Sequence, residues 1–169
     1  MTLEDGLYYC IFNTSAGWIG LAGSDKGLVR TTLPLPSEDL AAEGLSRGGR
    51  LASCVPDRFA ALAEKYRRYF AGEKVDFTDG LDLSRATPFE KTVWEATISI
   101  PYGETRSYGW VARQIGKPAA FRAVGGALGR NPLPIIVPCH RVVASDNTLR
   151  GFTGGLEIKR FLLRLEAGQ

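Results

Sequence analysis

The chain has 169 residues and a mass of 18.4 kDa, enough for one ordinary domain or two small ones. Hydrophobic residues make up 44% and charged residues 23%, which excludes wholesale disorder and collagen-like or coiled-coil composition. No apolar run approaches the ~18 residues of a membrane-spanning helix, so we expect no membrane partner.

The N-terminal residues 1–5 are acidic and lack the apolar core of a secretory leader, so we expect none. The three cysteines, Cys10, Cys54 and Cys139, are odd in number and widely spaced, unlike a disulfide framework. A reduced, cytoplasmic location fits this pattern better.

Charge differs between the two halves of the chain. Residues 1–85 carry 10 basic and 12 acidic side chains, a net charge of −2, whereas residues 86–169 carry 11 and 6, a net charge of +5. The basic half favours an anionic partner, most commonly nucleic acid. An ordinary solvated basic surface explains the same charge equally well.

The first half reads mainly as β-structure. Three short runs rich in aromatic and β-branched residues, separated by turn residues, predict a three-stranded antiparallel meander: 7–12, 17–22 and 27–33. Residues 34–50 predict at most one short helical turn, and residues 56–70 have helical spacing. The polar stretch 72–85 predicts a boundary between a structural domain, 1–80, and a second domain, 86–169.

The second domain opens with a strong helix start. Thr87, Pro88 and Glu90 occupy the N-cap, N1 and N3 positions of a capping box. The predicted apolar face of this helix comprises Phe89, Val93, Ala96 and Ile100. Ser107 is suited to cap a second helix that Gly116 ends, and a third is predicted over 119–128. The second and third helices, joined by a short turn that contains Gly116, resemble a helix-turn-helix, although many helical hairpins share that pattern.

The third helix has two different faces. Its predicted buried face comprises Ala120, Val124, Ala127 and Leu128. Arg122, Gly125 and Gly126 project from the opposite side, although each glycine costs about 1 kcal/mol relative to Ala. A bare face with one long cation suits close approach to DNA in the minor groove. Close packing of another helix is the alternative reason for the glycines.

The last part of the chain combines an apolar segment with a final helix. The prolines within 131–143 exclude a helix, so we predict a buried extended segment. A flexible loop over 151–155 precedes a helix over 156–166. The predicted apolar stripe of that helix comprises Ile158, Phe161, Leu162 and Leu165. Glu166 lies at the edge of the stripe, where a partly buried carboxylate needs a partner.

Cys139 and His140 are the strongest candidates for chemistry. A thiolate is a good nucleophile, and a neighbouring imidazole can accept its proton. His140 is the only histidine of the chain, and Glu166 is placed to orient it as a third member. A buried cysteine that acts only as a small hydrophobic residue is the alternative.

The segment 138–142, PCHRV, is the active-site motif of the O6-alkylguanine-DNA alkyltransferases, and this chain resembles that family closely over about 86–168. Other matching parts are Ser107 with Tyr108, residues 121–125, Asn131 with Pro132, residues 153–156, and Glu166. Residues 1–85 add only a β-rich domain of suitable size. The resemblance implies an α+β fold: a ribonuclease H-like β-meander-plus-helix domain, then a mostly helical, winged-helix-like domain containing the helix-turn-helix.

The resemblance also implies the chemistry. Cys139 takes a methyl or larger alkyl group from O6 of a flipped-out guanine by in-line displacement and is not regenerated. This is the single-turnover methylated-DNA–[protein]-cysteine S-methyltransferase reaction, with O4 of thymine as a further possible substrate atom. His140 deprotonates Cys139 through a water, Glu166 orients His140, and Asn131 braces the turn beneath them. No cofactor is implied.

The implied partner is double-stranded alkylated DNA, bound from the minor-groove side by a monomer. Tyr108 lies where the family's tyrosine crowds the target phosphate and donates to the guanine, and Arg122 where its arginine fills the gap in the base stack. Other implied DNA contacts are Ser107, Ala123, Gly125 and Arg130. The implied base contacts are the main chain of Cys139, Val142 and Thr153, together with Phe152 and Gly154.

Three departures from the family pattern stand out. Phe152 replaces a tyrosine that many members carry, so a hydroxyl beside the base is lost. Arg130 directly precedes Asn131, whereas some members place the arginine one residue earlier. Cys10 and Cys54, with no histidine in the first half, do not form a zinc site, so we expect no metal.

Two other functional classes are weighed against alkyl transfer. A module that only binds alkylated DNA would lack the acceptor cysteine, so Cys139 argues against it. A thiol hydrolase built on the same residues would need an oxyanion hole and turnover, for which no sequence feature speaks. Reaction with benzylguanine distinguishes the three classes. A single adduct on Cys139 indicates alkyl transfer, no adduct indicates a binding module, and repeated turnover indicates a hydrolase.

Overall fold

The structure, a computed structural model, describes residues 6–152 and 154–169. The chain falls into two compact units that divide between Ser84 and Arg85. Within the described residues they contain a four-stranded sheet, a two-stranded sheet and six α-helices. The fold is therefore α+β, as predicted.

The first unit is built on the four-stranded sheet, with strand order β3-β2-β1-β4. Strands β1 (Leu7–Thr14), β2 (Gly17–Ser24) and β3 (Gly27–Thr31) form the predicted antiparallel meander. The prediction missed β4 (Leu51–Cys54), which pairs with β1 in parallel. Three of the four β4 residues are exposed, so its side chains lack the alternation of a half-buried strand.

Helices of the first unit pack on both faces of this sheet. Helix α1 (Glu38–Ser46) is longer than the single turn predicted, because the Ser37 side chain caps it by accepting from Leu40 N. Its Leu45 joins a core cluster with Leu7 on β1. Helix α2 (Ala60–Phe70) follows a 3₁₀ turn at Pro56–Phe59, within the predicted helical range, and its rings pack on Phe12.

The second unit begins with α3 (Pro88–Ile98), and both hydrogen bonds of the predicted capping box are present. The buried residues of this helix are Glu90, Val93, Trp94 and Thr97, which corrects the predicted face. Phe89 and Ala96 are only half-buried. The Trp94 indole donates to the carbonyl of Ala127 at 3.0 Å, which draws the buried face towards the third helix of the unit.

The next two helices are α4 (Tyr108–Gln114) and α5 (Phe121–Gly129). The Ser107 side chain caps α4, as predicted, by accepting from Trp110 N at 3.0 Å. Val124, Ala127 and Leu128 form the buried face of α5, also as predicted, although Ala120 is only half-buried.

The segment after α5 is not extended, which corrects the prediction for 131–143. Its chain turns at Ile135, a residue with a left-handed φ of 74°, and Pro134 bridges to Val137. A 3₁₀ turn, Cys139–Arg141, follows. Strand β6 (Val142–Val143) then pairs in parallel with β5 (Arg106–Ser107). The apolar residues are buried as predicted, but they lie in consecutive turns and not in a strand.

Helix α6 (Leu156–Glu166) has the predicted bounds but a different buried face. Lys159, Leu162 and Glu166 are buried, whereas Phe161 is 39% exposed. The charged residues are buried because each has polar partners within the unit, described below. Within the described residues, none of the helices combines the length and hydropathy that crossing a membrane requires.

Candidate active site

Asn131 holds the turn that carries Cys139. Its amide Nδ2 donates to the carbonyl of Val137 at 2.9 Å and lies 3.3 Å from Cys139 Sγ. Its Oδ1 accepts from the backbone N–H of Leu133 at 2.9 Å. One side chain therefore ties both ends of the turn and lies within hydrogen-bonding distance of the sulfur.

Cys139 is nearly closed to solvent, since the residue is only 8% exposed. Burial raises the pKa of its thiol, while the hydrogen bond from Asn131 and the charge of Lys159 lower that pKa in part. The thiol is therefore mainly protonated at neutral pH and needs a base to become a nucleophile.

His140 and Glu166 form a buried pair next to this thiol in the chain. Nε2 of His140 lies 2.7 Å from Oε1 of Glu166, and the histidine is fully buried. Burial lowers the pKa of His140 more than Glu166 raises it, so the imidazole is neutral at pH 7. With the proton on Nε2 and shared with the carboxylate, Nδ1 is left as the proton acceptor.

The Nδ1 atom of His140 is buried and has no hydrogen-bond partner among the described residues. A buried acceptor of this kind normally bonds to a polar group or to water. This atom is therefore available to accept a proton or a hydrogen bond.

Arg141 completes the environment of Glu166. Its Nε donates to Oε2 and its Nη2 to Oε1, both at 2.9 Å, and its Nη1 donates to the carbonyl of Ile100 at 2.8 Å. Gly103 N also donates to Oε2. Although burial alone would raise the pKa of Glu166, the hydrogen bonds from His140 and Arg141 hold it well below its usual range. The carboxylate therefore stays ionised.

Lys159 belongs to the site, although the sequence did not single it out. It is 1% exposed, and its Nζ donates to the carbonyls of Val142 at 2.7 Å and Arg150 at 3.3 Å. The same ammonium lies 6.0 Å from the ring centre of Tyr108 and 5.8 Å from that of Phe152. Its spacing of seven residues from Glu166 on one helix was the available signal, because residues so spaced share a face.

The predicted base-contact residues lie around this ammonium or on the adjoining loop. Val142 is buried, and its carbonyl already accepts one hydrogen bond from Lys159. Phe152 is half-buried and Gly154 exposed, while Thr153 lies outside the described residues. The hydroxyl of Tyr108 donates to the carbonyl of Arg150 at 3.2 Å and so anchors the start of the same loop.

The predicted DNA contacts lie on or beside α4 and α5. Arg122 and Ala123 are exposed, whereas Gly125 is half-buried, with the Tyr108 ring 3.8 Å from the position a Cβ would take. Gly126 is therefore the exposed bare position, a correction to the predicted face. The hydroxyl of Ser107 serves as the helix cap.

Arg130 differs from the other predicted DNA contacts because it is already paired. Its Nε donates to Glu90 Oε1 at 2.6 Å, while its side chain stays 60% exposed. Its guanidinium reaches back over Gly126, 3.3 Å from where a Cβ would lie. No cluster of metal-binding side chains occurs in the described part of the chain.

Residues 88–168 match the family described as 6-O-methylguanine DNA methyltransferase, DNA binding domain. The methylated-DNA–protein-cysteine methyltransferase of Methanosarcina acetivorans is 42% identical over 167 residues, which cover 95% of this chain and 98% of that protein. The structure is similar to that of Mycobacterium tuberculosis OGT in complex with DNA, with a TM-score of 0.80 and 41% identity over 95% of this chain and 93% of that one. For O6-methylguanine-DNA methyltransferase from Pyrococcus kodakaraensis the TM-score is 0.73, with 30% identity over 94% and 98% of the two chains.

These similarities extend over nearly the whole length of each relative, so they do not rest on a shared DNA-binding fragment alone. The chain belongs to the methylated-DNA–protein-cysteine methyltransferase family.

Proposed function

We propose that this protein repairs DNA by direct reversal, transferring a methyl or larger alkyl group from O6 of guanine to Cys139. The thiolate displaces the base oxygen in line: a C–S bond forms as the C–O bond breaks, and the guanine leaves as its anion. That anion takes up a proton from water, which restores unmodified guanine in the DNA. The thioether is stable, so each molecule reacts once. The observation that carries the proposal is the buried Cys139 sulfur held by Asn131 beside a neutral His140 that is oriented by Glu166.

The proton of the thiol leaves through His140 in this mechanism. Nδ1 of His140 is the buried acceptor without a partner among the described residues, and a single water bridges it to the sulfur. Glu166 holds the opposite nitrogen and stabilises the imidazolium that forms. Arg141 keeps Glu166 ionised, so the carboxylate does not take the proton itself.

The substrate is alkylated guanine in duplex DNA, approached from the minor groove. O6 is inaccessible to in-line attack inside the base stack, so the nucleotide is flipped out. Exposed Arg122 on α5 fills the gap, and Tyr108 meets the target phosphate and the base. Ser107, Ala123, Gly125 and Arg130 add contacts to the sugar-phosphate backbone, and the +5 charge of residues 86–169 supports binding.

Phe152, Val142, Thr153 and Gly154 enclose the flipped base in this proposal. The Phe152 ring supplies an apolar wall, and Lys159 supports it by lying over the ring. Val142 offers its remaining carbonyl lone pair to the base edge. An alkyl group on O4 of thymine presents similar chemistry and is a further possible substrate.

The finer features of the protein are also part of the proposal. The first unit is a ribonuclease H-like structural domain, and the second is winged-helix-like, with α4, α5 and the β5–β6 pair as its elements. The protein acts as a monomer, since one chain supplies the acceptor, base and orienting groups. A cytoplasmic location suits it, because the acceptor has to stay reduced and Cys10, Cys54 and Cys139 are free thiols.

The test is incubation with benzylguanine followed by intact mass and peptide mapping. We expect one benzyl group per molecule, on Cys139, and none in the Cys139→Ser variant, which still binds duplex DNA. Cys54→Ser and Cys10→Ser serve as matched controls: Cys54 is exposed, whereas burial raises the pKa of Cys10 to about 12. No adduct would indicate a binding module, and repeated turnover a hydrolase.

A further inference from the structure

Phe121 has a position that the proposed function does not explain. It is the first residue of α5 and is 49% exposed, more than any other large hydrophobic side chain of the described residues. The buried face of α5 is complete without it, since Val124, Ala127 and Leu128 fill that face. A single exposed apolar residue is common on protein surfaces, so only its surroundings can indicate whether Phe121 has a function.

Those surroundings are the surface proposed to enter DNA. Phe121 directly precedes Arg122, and the other exposed positions of α5 are small: Ala123, Gly126 and Gly129. One turn along from Phe121 lies Gly125, against which the Tyr108 ring packs. Phe121 therefore stands one turn from the position that Tyr108 contacts and directly before Arg122 in the chain, on a helix whose other exposed residues are small.

Resting on the proposed function, we propose that Phe121 is a second side chain that positions duplex DNA. Its ring enters the minor groove beside Arg122 and packs against the deoxyribose rings of nucleotides that flank the flipped guanine. Apolar side chains are used in this way by minor-groove proteins, which wedge them against unstacked base steps. The basic charge of this unit supplies the attraction that brings the ring to the groove.

The contribution of Phe121 differs in kind from that of Arg122. A cation that neutralises a phosphate releases counterions, so its removal lowers the slope of log affinity against log salt concentration. Burial of an aromatic ring depends little on salt. A Phe121 variant therefore loses affinity by the same factor at every salt concentration, unlike a variant that removes a phosphate-binding cation, which loses most at low salt.

The experiment compares Phe121→Ala and Phe121→Leu with the unsubstituted protein on two substrates, a duplex containing O6-methylguanine and free benzylguanine. For Phe121→Ala we expect duplex repair and duplex affinity to fall about tenfold, in keeping with partial burial of one aromatic ring. The rate with free benzylguanine and the salt slope stay unchanged. Phe121→Leu keeps an apolar side chain at the same place and retains most of the duplex rate.

Phe161→Ala is the matched control, because Phe161 is a comparably exposed phenylalanine on α6. We expect it to change neither substrate's rate. Full duplex repair by Phe121→Ala would overturn the proposal, and so would an equal loss on free benzylguanine, which indicates a structural role. Absence of any benzyl transfer by the unsubstituted protein would instead overturn the proposed function.

Discussion

At the scale of single residues, proton transfer at Cys139 decides how the reaction depends on pH. Burial raises the pKa of the thiol and lowers the pKa of His140. The imidazole therefore stays neutral at pH values down to its ordinary pKa of about 6.5, and in the proposed mechanism it accepts the thiol proton throughout the neutral range.

We expect the rate with benzylguanine to be level from about pH 7 to 9 and to fall only on the acid side of the ordinary imidazole pKa of about 6.5, where His140 becomes protonated. Stopped-flow or quenched mass measurement of the single turnover checks this profile. A tenfold rise per pH unit between about pH 7 and 9 would show that the thiol loses its proton to solvent instead.

Glu166 has a structural role as well as an orienting one. Glu166→Gln leaves the buried Arg141 guanidinium without its ionic partner, a change that typically costs about 3–5 kcal/mol. We expect a melting temperature lower by roughly 10 °C and slower transfer. The double variant with Arg141→Met recovers stability but not rate, because His140 still lacks a carboxylate. Recovery of both the melting temperature and the transfer rate would show that Glu166 has only a structural role.

The ionisation of Glu166 also makes the stability of the folded protein depend on pH. Its folded pKa lies below the unfolded value of about 4.3, so its contribution is complete above that value and is lost as the pH falls through the folded pKa.

Lys159 is expected to influence the reactivity of Cys139. Its ammonium favours the thiolate and anchors the loop through Val142 and Arg150. Lys159→Met keeps the length of the side chain but removes the charge that favours the thiolate, so we expect transfer to free benzylguanine to slow. Arg160→Met, an exposed neighbour on α6, is the control. Equal rates for the two variants would remove Lys159 from the site.

At the scale of elements, α5 combines low intrinsic stability with a bare surface. Gly126→Ala should stabilise the protein by up to about 1 kcal/mol, since alanine favours the helix and only the flexible end of Arg130 has to move. The same methyl group faces the proposed DNA surface, so we expect duplex repair to slow while the reaction with benzylguanine is unchanged.

Gly125→Ala provides the comparison for this helix. A Cβ there meets the Tyr108 ring at an ordinary contact distance of 3.8 Å, at a position that is half-buried rather than exposed. It should stabilise the protein to a similar extent, measured by thermal melting, with a smaller effect on duplex repair. Duplex repair that is unaffected by Gly126→Ala would argue against close approach of α5 to DNA.

Helix boundaries were predictable where the signal was local. Thr87, Ser107 and Gly116 marked ends that the structure confirms, because a cap or a glycine with positive φ acts on its own turn of helix. The faces of the same helices were predicted less well. On α6, Lys159 is buried because the distant carbonyls of Val142 and Arg150 accept hydrogen bonds from its ammonium, whereas the more hydrophobic Phe161 is exposed.

At the scale of the whole molecule, reaction changes the packing of the second unit. Cys139 is buried and in contact with Asn131, which itself ties the turn around Ile135. An alkyl group on the sulfur displaces that contact and adds volume next to a buried side chain, and such overpacking typically costs about 1–3 kcal/mol. The strain passes along the Asn131 turn to α5, which carries Arg122.

We therefore expect the alkylated protein to melt several degrees lower, at about 2–4 °C per kcal/mol, and to bind duplex DNA more weakly. Differential scanning fluorimetry before and after stoichiometric reaction, with both methyl and benzyl donors, measures the first effect. The benzyl adduct should show the larger shift because it adds more volume. A melting temperature that stays level or rises with both donors contradicts the strain argument.

The sequence by itself determined the chemistry and the order of the elements. The motif at 138–142, the position of Glu166 and the helix caps are short-range patterns, so they are readable without the fold. The same is true of the β-meander, whose hairpins join neighbours in the chain. The turn residues of those hairpins carry their own conformational preference.

Only the tertiary structure decided which groups share one environment. Strand β4 forms because β1 offers an edge about forty residues earlier in the chain, and Lys159 is buried because the carbonyls of Val142 and Arg150 receive its ammonium. Arg141 is likewise committed to Glu166, 25 residues away. Desolvation of a charge is acceptable only where distant groups compensate it, and no local pattern records that compensation.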